Sequence, residues 1–528
     1  MLIPQGMAYA LIAGLPPEYG LYAAVVPLMI YAFMGTSRHL AVGPVALIAL
    51  LVASTVAPLA GTPEEYIALS ILLALMIGVI QFLFGVFRMG FLVNLLSHPV
   101  LTGFVSAAAI VIGLSQIHHI LGIESVSGGL HEIVYGVGAQ ITAVNIWTVA
   151  IGAAAIVLIF MLKRYAPMVP GALVTVIIGV VVLALSGLHQ AGVSIVGEIP
   201  DGLPALMIPA IEWADIQALL PMAFAISLVA YMESIAVAKA IQQKDGTYKV
   251  DANQELIALG AANIGGSFFQ SFPVTGGFSR TAVNYDAGGK TPMASIISAL
   301  IVAVTLLFLT PLFYYLPKAV LAAIIMVAVI GLIDISGFRR LWKTGHYDRY
   351  MLLAAFLGTL FIGIKEGILL GVILSVLMLV YRSARPNHTV LGRIPGTSVY
   401  RNIHRYETDR QKDVLIFRFD APIHFANAEY FKEQVYDLLK EQNEVKTLIL
   451  DFNGINEIDT TGLDELFEVI DHLEKQQIQV RLAEVKGPVR DIISRTKGNR
   501  TVQFYMTIDD AIEASEYGDE LKLDLSHK

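Results

Sequence analysis

The chain has 528 residues, of which 56% are hydrophobic and 15% are charged, and its formal net charge is −8. Because soluble domains carry about 25% charged residues, this composition predicts an integral membrane protein. The absence of cysteine excludes disulfides and thiolate metal sites. We also expect no nucleic-acid partner, no metal site, no cofactor and no enzyme, since neither a basic patch with aromatic residues nor a catalytic or metal-ligating set is recognisable.

The chain begins with the apolar stretch MLIPQGMAYALIAGLPP, which Pro16 and Pro17 end. A membrane-spanning helix needs ~20 apolar residues. A signal peptide needs a positively charged start and a small-residue cleavage site. The stretch has neither this length nor this charge, so it predicts an incomplete membrane segment rather than a signal peptide.

Apolar runs follow one another as far as residue 382 and predict fourteen membrane segments. After the opening run they lie near 20–34, 43–57, 66–87, 99–117, 145–162, 167–187, 218–238, 255–269, 275–286, 293–316, 319–334, 350–364 and 366–381. Three of them, 43–57, 255–269 and 275–286, are too short to cross a ~30 Å hydrocarbon core as straight helices. Short apolar segments interrupted by Gly or Pro are typical of discontinuous transporter helices, whose backbone must be buried or line a cavity.

Lys and Arg are unevenly divided between the loops that join these runs. The loops 15–20, 57–66, 118–144 and 188–217 contain neither residue, whereas the alternate loops contain several. Because cytoplasmic loops carry the excess of Lys and Arg, we expect both termini on the cytoplasmic side of an inner or plasma membrane.

Two of the short segments share one design. In GTSRHLAVGPVALIALL (35–51) a Gly-Pro pair at 43–44 precedes an apolar run, and in SFPVTGGFSRTAVNY (271–285) Pro273 and a Gly-Gly pair do the same. Proline suits the first turn of a helix, because its missing N–H would be unpaired there. The pattern predicts half-helices at membrane depth, the first beginning at residue 44.

Two helix N-termini that point at one spot would suit an anion, because each has free N–H groups and partial positive charge. Arg280 follows the Gly-Gly pair of the second segment and adds a full positive charge. The alternative is a pair of ordinary kinked helices, with Arg280 extended to the cytoplasmic face.

Glu233 lies in the middle of the apolar run ISLVAYMESIAVAKA. An acid at that depth is costly and usually functional. It would bind a cation, carry a proton or pair with Arg280; the structural alternative is a salt bridge without a transport role.

Two long blocks carry a family resemblance: PEYGLYAAVVPLMIYAFMGTSRHLAVGP and NQELIALGAANIGGSFFQSFPVTGGFSRTAVN. They resemble the signature regions of the SulP anion transporters, the sulfate permease group also called solute carrier family 26. The resemblance implies an α-helical polytopic membrane protein with fourteen segments in two inverted repeats of seven. These form core and gate domains, usually in a homodimer, and a cytoplasmic α/β STAS domain follows.

The resemblance also implies an anion site between the N-termini of segments 3 and 10, with side chains from segment 1. Carried onto this chain, its residues are Gln5, Tyr9, Val45, Ala46, Gly277, Phe278, Ser279 and Arg280. Gln5 and Tyr9 share one helix face because they are four residues apart. Some members carry Phe at the position of Val45, which leaves the size of the anion open.

Segment 8 of the family carries the coupling residue. Sodium-dependent bicarbonate members have Asp there and Thr four residues later, whereas this chain has Glu233 and Val237. Because the hydroxyl ligand is missing, the resemblance favours proton coupling, and sulfate:proton symport is the expected function.

Other functions stay open at this point. They are bicarbonate or dicarboxylate transport, chloride/bicarbonate exchange, a channel-like activity, and a membrane-tethered signalling role for the STAS domain. A nucleobase:proton symporter fits less well, since a neutral nucleobase needs no fixed cation such as Arg280.

Charged residues crowd together from Glu407 onward. We therefore divide the chain into a membrane domain (1–382), a linker (383–412) and a STAS domain (413–528). In the last of these, strands are predicted at 413–420, 446–452 and 478–485, and helices at 427–442, 461–476 and 489–496. Alternating strands and helices predict an α/β unit.

The stretch IDTTGLDEL in this unit resembles the phosphorylated loop of anti-sigma-factor antagonists. The resemblance makes Thr460 and Thr461 candidates for regulatory phosphorylation, because a helix N-terminus holds a phosphate well, and implies a regulatory protein partner. The alternative is plain N-capping of the following helix.

The family pattern places the start of segment 1 before Met1. We therefore expect the chain to begin inside its first membrane helix, and the protein as written to insert poorly. The expected partners are a small inorganic anion, protons, the lipid bilayer and a second copy of the chain.

Overall fold

The computed structural model describes residues 1–91, 97–124, 130–166, 169–442, 444–498, 500 and 502–517. The chain divides into two compact units, Met1–Val376 and Leu377–Lys528.

The first unit is helical. Its helices are α1 (Leu2–Ile12), α2 (Pro17–Tyr22), α3 (Val26–Met34), α4 (Ala46–Val56), α5 (Pro63–Val86), α6 (His98–Ser115), α7 (Ile117–Leu121), α8 (Leu130–Ala139), α9 (Ile146–Tyr165), α10 (Gly171–Ser186), α11 (Trp213–Asp245), α12 (Ala252–Ser267), α13 (Phe278–Asp286), α14 (Met293–Val304), α15 (Lys318–Ile330), α16 (Ile335–Thr344), α17 (His346–Leu357) and α18 (Ile364–Ala384), the last of which continues into the second unit. Two strands, β1 (Val42–Gly43) and β2 (Thr275–Gly276), interrupt the helices.

Seven helical segments within the described residues are long and apolar enough to cross a membrane. They are Pro63–Val86, His98–Leu121, Ile146–Tyr165, Trp213–Asp245, Met293–Phe313, Lys318–Lys343 and Glu366–Ala384. α1, α4 and α10 are apolar but shorter. Length and composition therefore account for part of the fourteen expected segments, and the count of fourteen stays a prediction.

Helices α5 and α12 cross with their backbones in contact. A Cβ added to Gly78 would lie 2.6 Å from the Ile264 nitrogen, and one added to Gly260 would lie 2.7 Å from the Gly78 oxygen. Neither distance leaves room for a methyl group. Glycine at these two positions therefore sets the distance between the two helices.

The carboxylate of Glu255 joins α12 to the end of α3. Its Oε2 accepts a hydrogen bond from the Tyr31 hydroxyl at 2.7 Å. Its Oε1 accepts from the Thr36 N–H at 2.7 Å, the Thr36 hydroxyl at 2.6 Å and the Ser37 N–H at 3.0 Å. Glu255 is fully buried, and four donors compensate the cost of burying it.

The second unit is built on a six-stranded sheet with the order β4-β3-β5-β6-β7-β8. Its strands are β3 (His388–Arg393), β4 (Tyr400–Asn402), β5 (Val414–Phe419), β6 (Thr447–Asp451), β7 (Gln479–Ala483) and β8 (Gln503–Tyr505), and its helices are α19 (Ala428–Glu441), α20 (Thr460–Lys475), α21 (Gly487–Thr496) and α22 (Ile508–Tyr517). β5 to β8 run parallel, and β3 pairs antiparallel with both β4 and β5.

Strand β5 is covered on both faces, which explains its nearly continuous apolar sequence. Phe417 and Phe419 are two residues apart and pack on one face with Phe431 of α19. Ile416 points to the other face and packs with Ala511 of α22.

The three strands and three helices that the sequence predicts for this unit are present. The structure differs at both ends of the unit: β3 and β4 lie inside 383–412, which the sequence assigns to a linker, and β8 and α22 are additional elements. β3 joins the sheet by pairing with β5, and the three-residue β4 joins it only through β3. Such short strands depend on their partners and carry little pattern of their own.

Candidate functional site

Strands β1 and β2 form a two-residue antiparallel ladder in which Val42 lies opposite Gly276 and Gly43 opposite Thr275. Helix α4 begins just after β1, and α13 begins just after β2. Because the strands run in opposite directions, the two helices leave opposite ends of the ladder. Both therefore have their N-termini at this one place, as the sequence predicts.

The predicted start of the first half-helix at residue 44 is wrong by two residues. Val45 is extended, with φ −133° and ψ 142°, and α4 begins at Ala46. Pro44 follows directly on β1, and its carbonyl oxygen accepts a hydrogen bond from Arg280. Val45 is thus the N-cap residue.

Neither helix start has a side-chain cap. The N–H groups of 46–48 and 278–280 precede the first intrahelical bonds, which Ala49 and Thr281 donate. These N–H groups have no partner within their own helices. Together with the helix dipoles, they form an electropositive environment that suits an anion.

The guanidinium of Arg280 reaches from α13 to the backbone on both sides of β1. Nη1 donates to the Pro44 carbonyl at 2.6 Å, and Nη2 donates to the Ala41 carbonyl at 3.4 Å. Only 6% of Arg280 is exposed, and its Nε has no hydrogen-bond partner among the residues that the structure describes. Arg280 is therefore buried between the two half-helices and does not extend to the surface.

Two further side chains fix α13 against the segment that leads into β1. The Thr281 hydroxyl accepts from the Ala41 N–H at 3.1 Å and donates to the Gly277 carbonyl at 2.7 Å. Asn284 donates to the His39 carbonyl at 2.9 Å. The sequence offered no signal for either residue beyond its place in the short helix.

Asn263 of α12 fixes the segment that leads into β2. Its Oδ1 accepts from the Val274 N–H at 2.9 Å, and its Nδ2 donates to the Val274 carbonyl at 3.1 Å. The side-chain amide thus pairs with both backbone groups of one residue, as a neighbouring strand would. Asn263 was not predicted; an Asn in an apolar helix is the signal that marks it.

Helix α1 lies beside the ladder. A Cβ added to Gly43 would lie 3.5 Å from the Leu2 side chain of α1. Gln5 and Tyr9 are buried, with 5% and 7% exposed. The structure therefore places the segment that carries both predicted residues next to the half-helices.

The predicted residues on the half-helices differ in exposure. Val45 and Ala46 are buried, whereas Phe278 is 59% exposed and Ser279 is also exposed. The accessible side of the two helix starts is therefore on α13.

Glu233 lies on α11, and none of the described groups forms a hydrogen bond with its buried Oε2. Arg280 interacts with it electrostatically, but within the described part of the chain the two groups form no ion pair at 4.0 Å or less. Of the roles open to Glu233, a direct salt bridge with Arg280 is therefore not formed in this structure. Val237, one turn later, is buried and offers no oxygen ligand.

A cavity of about 410 Å³ also reaches Arg280. Its other lining residues include Pro4, Asn284, Ser295 and Ser298, but none of the other predicted site residues. Of the residues at the two helix starts, 46–48 and 278–280, this cavity is lined by Arg280 alone.

In the second unit, Asp459 caps α20. Its Oδ1 accepts from the Gly462 N–H at 2.8 Å, and its Oδ2 accepts from the Phe425 N–H at 2.8 Å. Thr460 and Thr461 are exposed beside it. Asp459 therefore performs the capping, and both threonine side chains stay accessible.

Comparison with known proteins identifies the class of protein. The model of the sulfate permease family matches residues 1–355, and the model of the STAS domain matches residues 405–511. The chain is 38% identical to "Sulfate transporter 4.1, chloroplastic" of Arabidopsis thaliana, over 97% of this chain and 78% of the relative. It is 34% identical to "High affinity sulfate transporter 2" of Stylosanthes hamata, over 97% and 81%.

The fold matches that of a solved transporter. The chain superimposes on the murine Solute Carrier 26 family member A9 anion transporter, solved in the inward-facing state, with a TM-score of 0.89 at 27% identity. The match covers 97% of this chain and 89% of the murine chain. The protein is thus a helical membrane transporter with a C-terminal STAS domain, and it belongs to the sulfate permease family.

Proposed function

We propose that this protein is a secondary active transporter of inorganic anions, and that it carries sulfate together with protons. One observation carries the proposal: the ladder of β1 and β2 holds two uncapped helix N-termini and a buried guanidinium at one place. The names of its relatives as sulfate transporters support sulfate as the anion.

In this proposal the anion lies against the N–H groups of both half-helices. Val45 and Ala46 form one side of its site, and Gly277, Phe278 and Ser279 form the other. Arg280 supplies the compensating charge, which a dianion needs when it leaves water.

Helix α1 completes the site. The Gln5 amide and the Tyr9 hydroxyl are neutral donors that suit sulfate oxygens. Both are buried on a helix that lies beside the ladder. They would add directional hydrogen bonds to a site whose positive charge comes from Arg280 and the helix ends.

Glu233 is the proposed proton carrier. Its Oε2 is buried without a partner among the described residues, and it lies within electrostatic reach of Arg280. A proton on Glu233 would remove one negative charge from the neighbourhood of a bound dianion. Loading the proton and the anion together then costs less than the sum of loading each alone.

We further propose a homodimer in the inner or plasma membrane, with both termini and the STAS domain in the cytoplasm. The absence of Lys and Arg from alternate loops of the first half supports this orientation. Exposed Thr460 and Thr461, at the N-terminus of α20, support a regulatory protein or phosphorylation at that loop.

Uptake of labelled sulfate into proteoliposomes tests the proposal. An inward proton gradient is expected to drive uptake, and an inward sodium gradient at equal pH is not. Glu233→Gln is expected to abolish the response to the proton gradient. Glu198→Gln, at an exposed loop position, is the matched control and is expected to transport like the parent.

Each alternative has its own signature in the same vesicles. Sodium-driven uptake without a pH response would overturn proton coupling. Preference for bicarbonate, a dicarboxylate or chloride in a competition panel would replace sulfate as the substrate. Complete absence of uptake for every anion would favour the membrane-tethered signalling role.

A further inference from the structure

We infer that Ser234 is a positioning residue that ties α11 to the start of α13 and so fixes the anion-binding helix end relative to Glu233. The inference rests on the proposed function, in which Glu233 carries the proton and α13 binds the anion. It concerns how the two are mechanically connected.

A directed chain of three hydrogen bonds joins β2 to α11. The Gly276 N–H donates to Ser234 Oγ at 2.7 Å, and Ser234 Oγ lies 2.7 Å from Thr275 Oγ1. Thr275 Oγ1 donates to the Ala230 carbonyl at 2.6 Å. Each hydroxyl has one proton, and that of Thr275 goes to Ala230. Ser234 must therefore donate to Thr275 while it accepts from Gly276.

This chain is closed to water. Ser234 and Thr275 are both fully buried. A Cβ added to Gly276 would lie 2.9 Å from Ser234 Oγ and 2.6 Å from Leu40, so no residue other than glycine fits beside the serine. Within this contact, every donor has a protein acceptor.

The first bond of this chain joins the two working parts of the proposed site. Ser234 directly follows Glu233 on α11, and Gly276 is the last residue of β2 before the N-cap of α13. The hydroxyl of Ser234 thus links the segment that carries the carboxylate to the helix end. Loss of this hydroxyl would leave the Gly276 N–H buried without an acceptor. The free-energy cost of that unsatisfied donor would favour displacement of β2.

The chain offers a matched control on the same helix. Ser227 lies seven residues before Ser234, is equally buried, and donates to the Ala223 carbonyl of its own helix at 2.6 Å. Ser227→Ala removes a buried hydroxyl from α11 without touching β2. The second control is Ser234→Thr, which keeps the hydroxyl.

Transport gives the first readout. Ser234→Ala is expected to raise the half-saturating sulfate concentration about tenfold, and to lower the number of protons that enter per sulfate, measured with a trapped pH dye. Ser227→Ala is expected to leave that ratio unchanged, and Ser234→Thr is expected to restore it. An unchanged ratio and half-saturation in Ser234→Ala, or the same defect in Ser227→Ala, would overturn the inference.

A distance measurement makes the test independent of transport. Because the chain has no cysteine, spin labels can be placed at Ala236→Cys on α11 and Val283→Cys on α13, both exposed positions. The label-to-label distance distribution is expected to be narrow in the parent, in Ser227→Ala and in Ser234→Thr.

In Ser234→Ala the distribution is expected to broaden; an equally narrow one would refute the link. Thr275→Val keeps the hydrogen bond from the Gly276 N–H to Ser234 and is expected to broaden the distance distribution less. This variant keeps the test decisive if the Ser234→Ala protein fails to fold. Failure of sulfate uptake in the parent would end the proposed function while this measurement still decides the role of Ser234.

Discussion

The hydroxyl of Tyr31 lies 2.7 Å from Oε2 of Glu255, although 224 residues separate the two in sequence. The contact joins the segment before β1 to the helix that precedes β2. The carboxylate of Glu255 is therefore part of the scaffold that brings the two half-helices together.

Glu255→Gln is expected to destabilise the first unit by about 2–4 kcal/mol. The buried amide NH2 of glutamine would face hydrogen-bond donors from which the carboxylate now accepts. Tyr31→Phe removes one donor and is expected to cost about 1–2 kcal/mol. Thermal unfolding of the detergent-solubilised protein measures both, with Glu198→Gln as the control. Because the pair is in contact, the double variant should cost less than the sum; simple additivity would argue against the contact.

Arg280→Lys is expected to weaken sulfate binding about tenfold or more, even though the charge remains. A lysine ammonium cannot bond the Pro44 and Ala41 carbonyls in the geometry of a guanidinium fork. Arg280→Ala is expected to lose saturable binding. Stabilisation of the protein against heat by sulfate measures binding directly, and Arg164→Lys, at an exposed position, is the matched control. Wild-type affinity in Arg280→Ala would remove this residue from the site.

Gly260→Ala is expected to destabilise the crossing of α5 and α12 by about 2 kcal/mol or more, since overpacking forces the helices apart. The new methyl would meet the backbone of Phe82 and the Gly78 oxygen. Gly138→Ala is the control, because nothing lies within 4 Å of its added Cβ. This control variant should be neutral or slightly more stable, as expected for alanine in a helix. Equal thermal stability of the two variants would contradict the close crossing.

Asp451, at the end of β6, makes the second unit sensitive to pH. Burial, together with the nearby charge of Glu484, raises the pKa of Asp451 to about 6. A folded-state pKa above the unfolded value means that the protonated form stabilises the fold at low pH and that this contribution is lost as pH rises through about 6.

Asp451→Asn is therefore expected to match the parent near pH 4 and to be more stable by about 2 kcal/mol at pH 8. It keeps the oxygen that accepts the Asn453 N–H at 2.9 Å. Urea unfolding of the second unit in the full-length protein, followed by circular dichroism at the two pH values, measures the difference. The same pH dependence in variant and parent would rule out Asp451 as its source.

Sequence pattern located the two half-helices because Pro and Gly interrupt apolar runs there, and Arg280 and Glu233 because charge is rare in such runs. It did not reveal the ladder, since two-residue strands such as Val42–Gly43 have no periodicity and exist only through their distant partner. The same holds for the bonds of Glu255 and Asn263, whose partners are local in space but not in sequence. The predicted helix start at residue 44 is two residues too early, because proline suits the turn before a helix as well as the first turn inside it.

The ladder consists of main-chain hydrogen bonds, and the side chains that brace it include those of Asn263, Ser234 and Thr281, whereas Val45 and Phe278 contribute no polar group to it. A lineage can therefore exchange Val45 or Phe278 by single codon changes while both helix starts stay where they are. Selection for a different substrate would then change the side chains at the two helix starts and leave the ladder unchanged. Such an arrangement favours rapid divergence of substrate preference within one architecture.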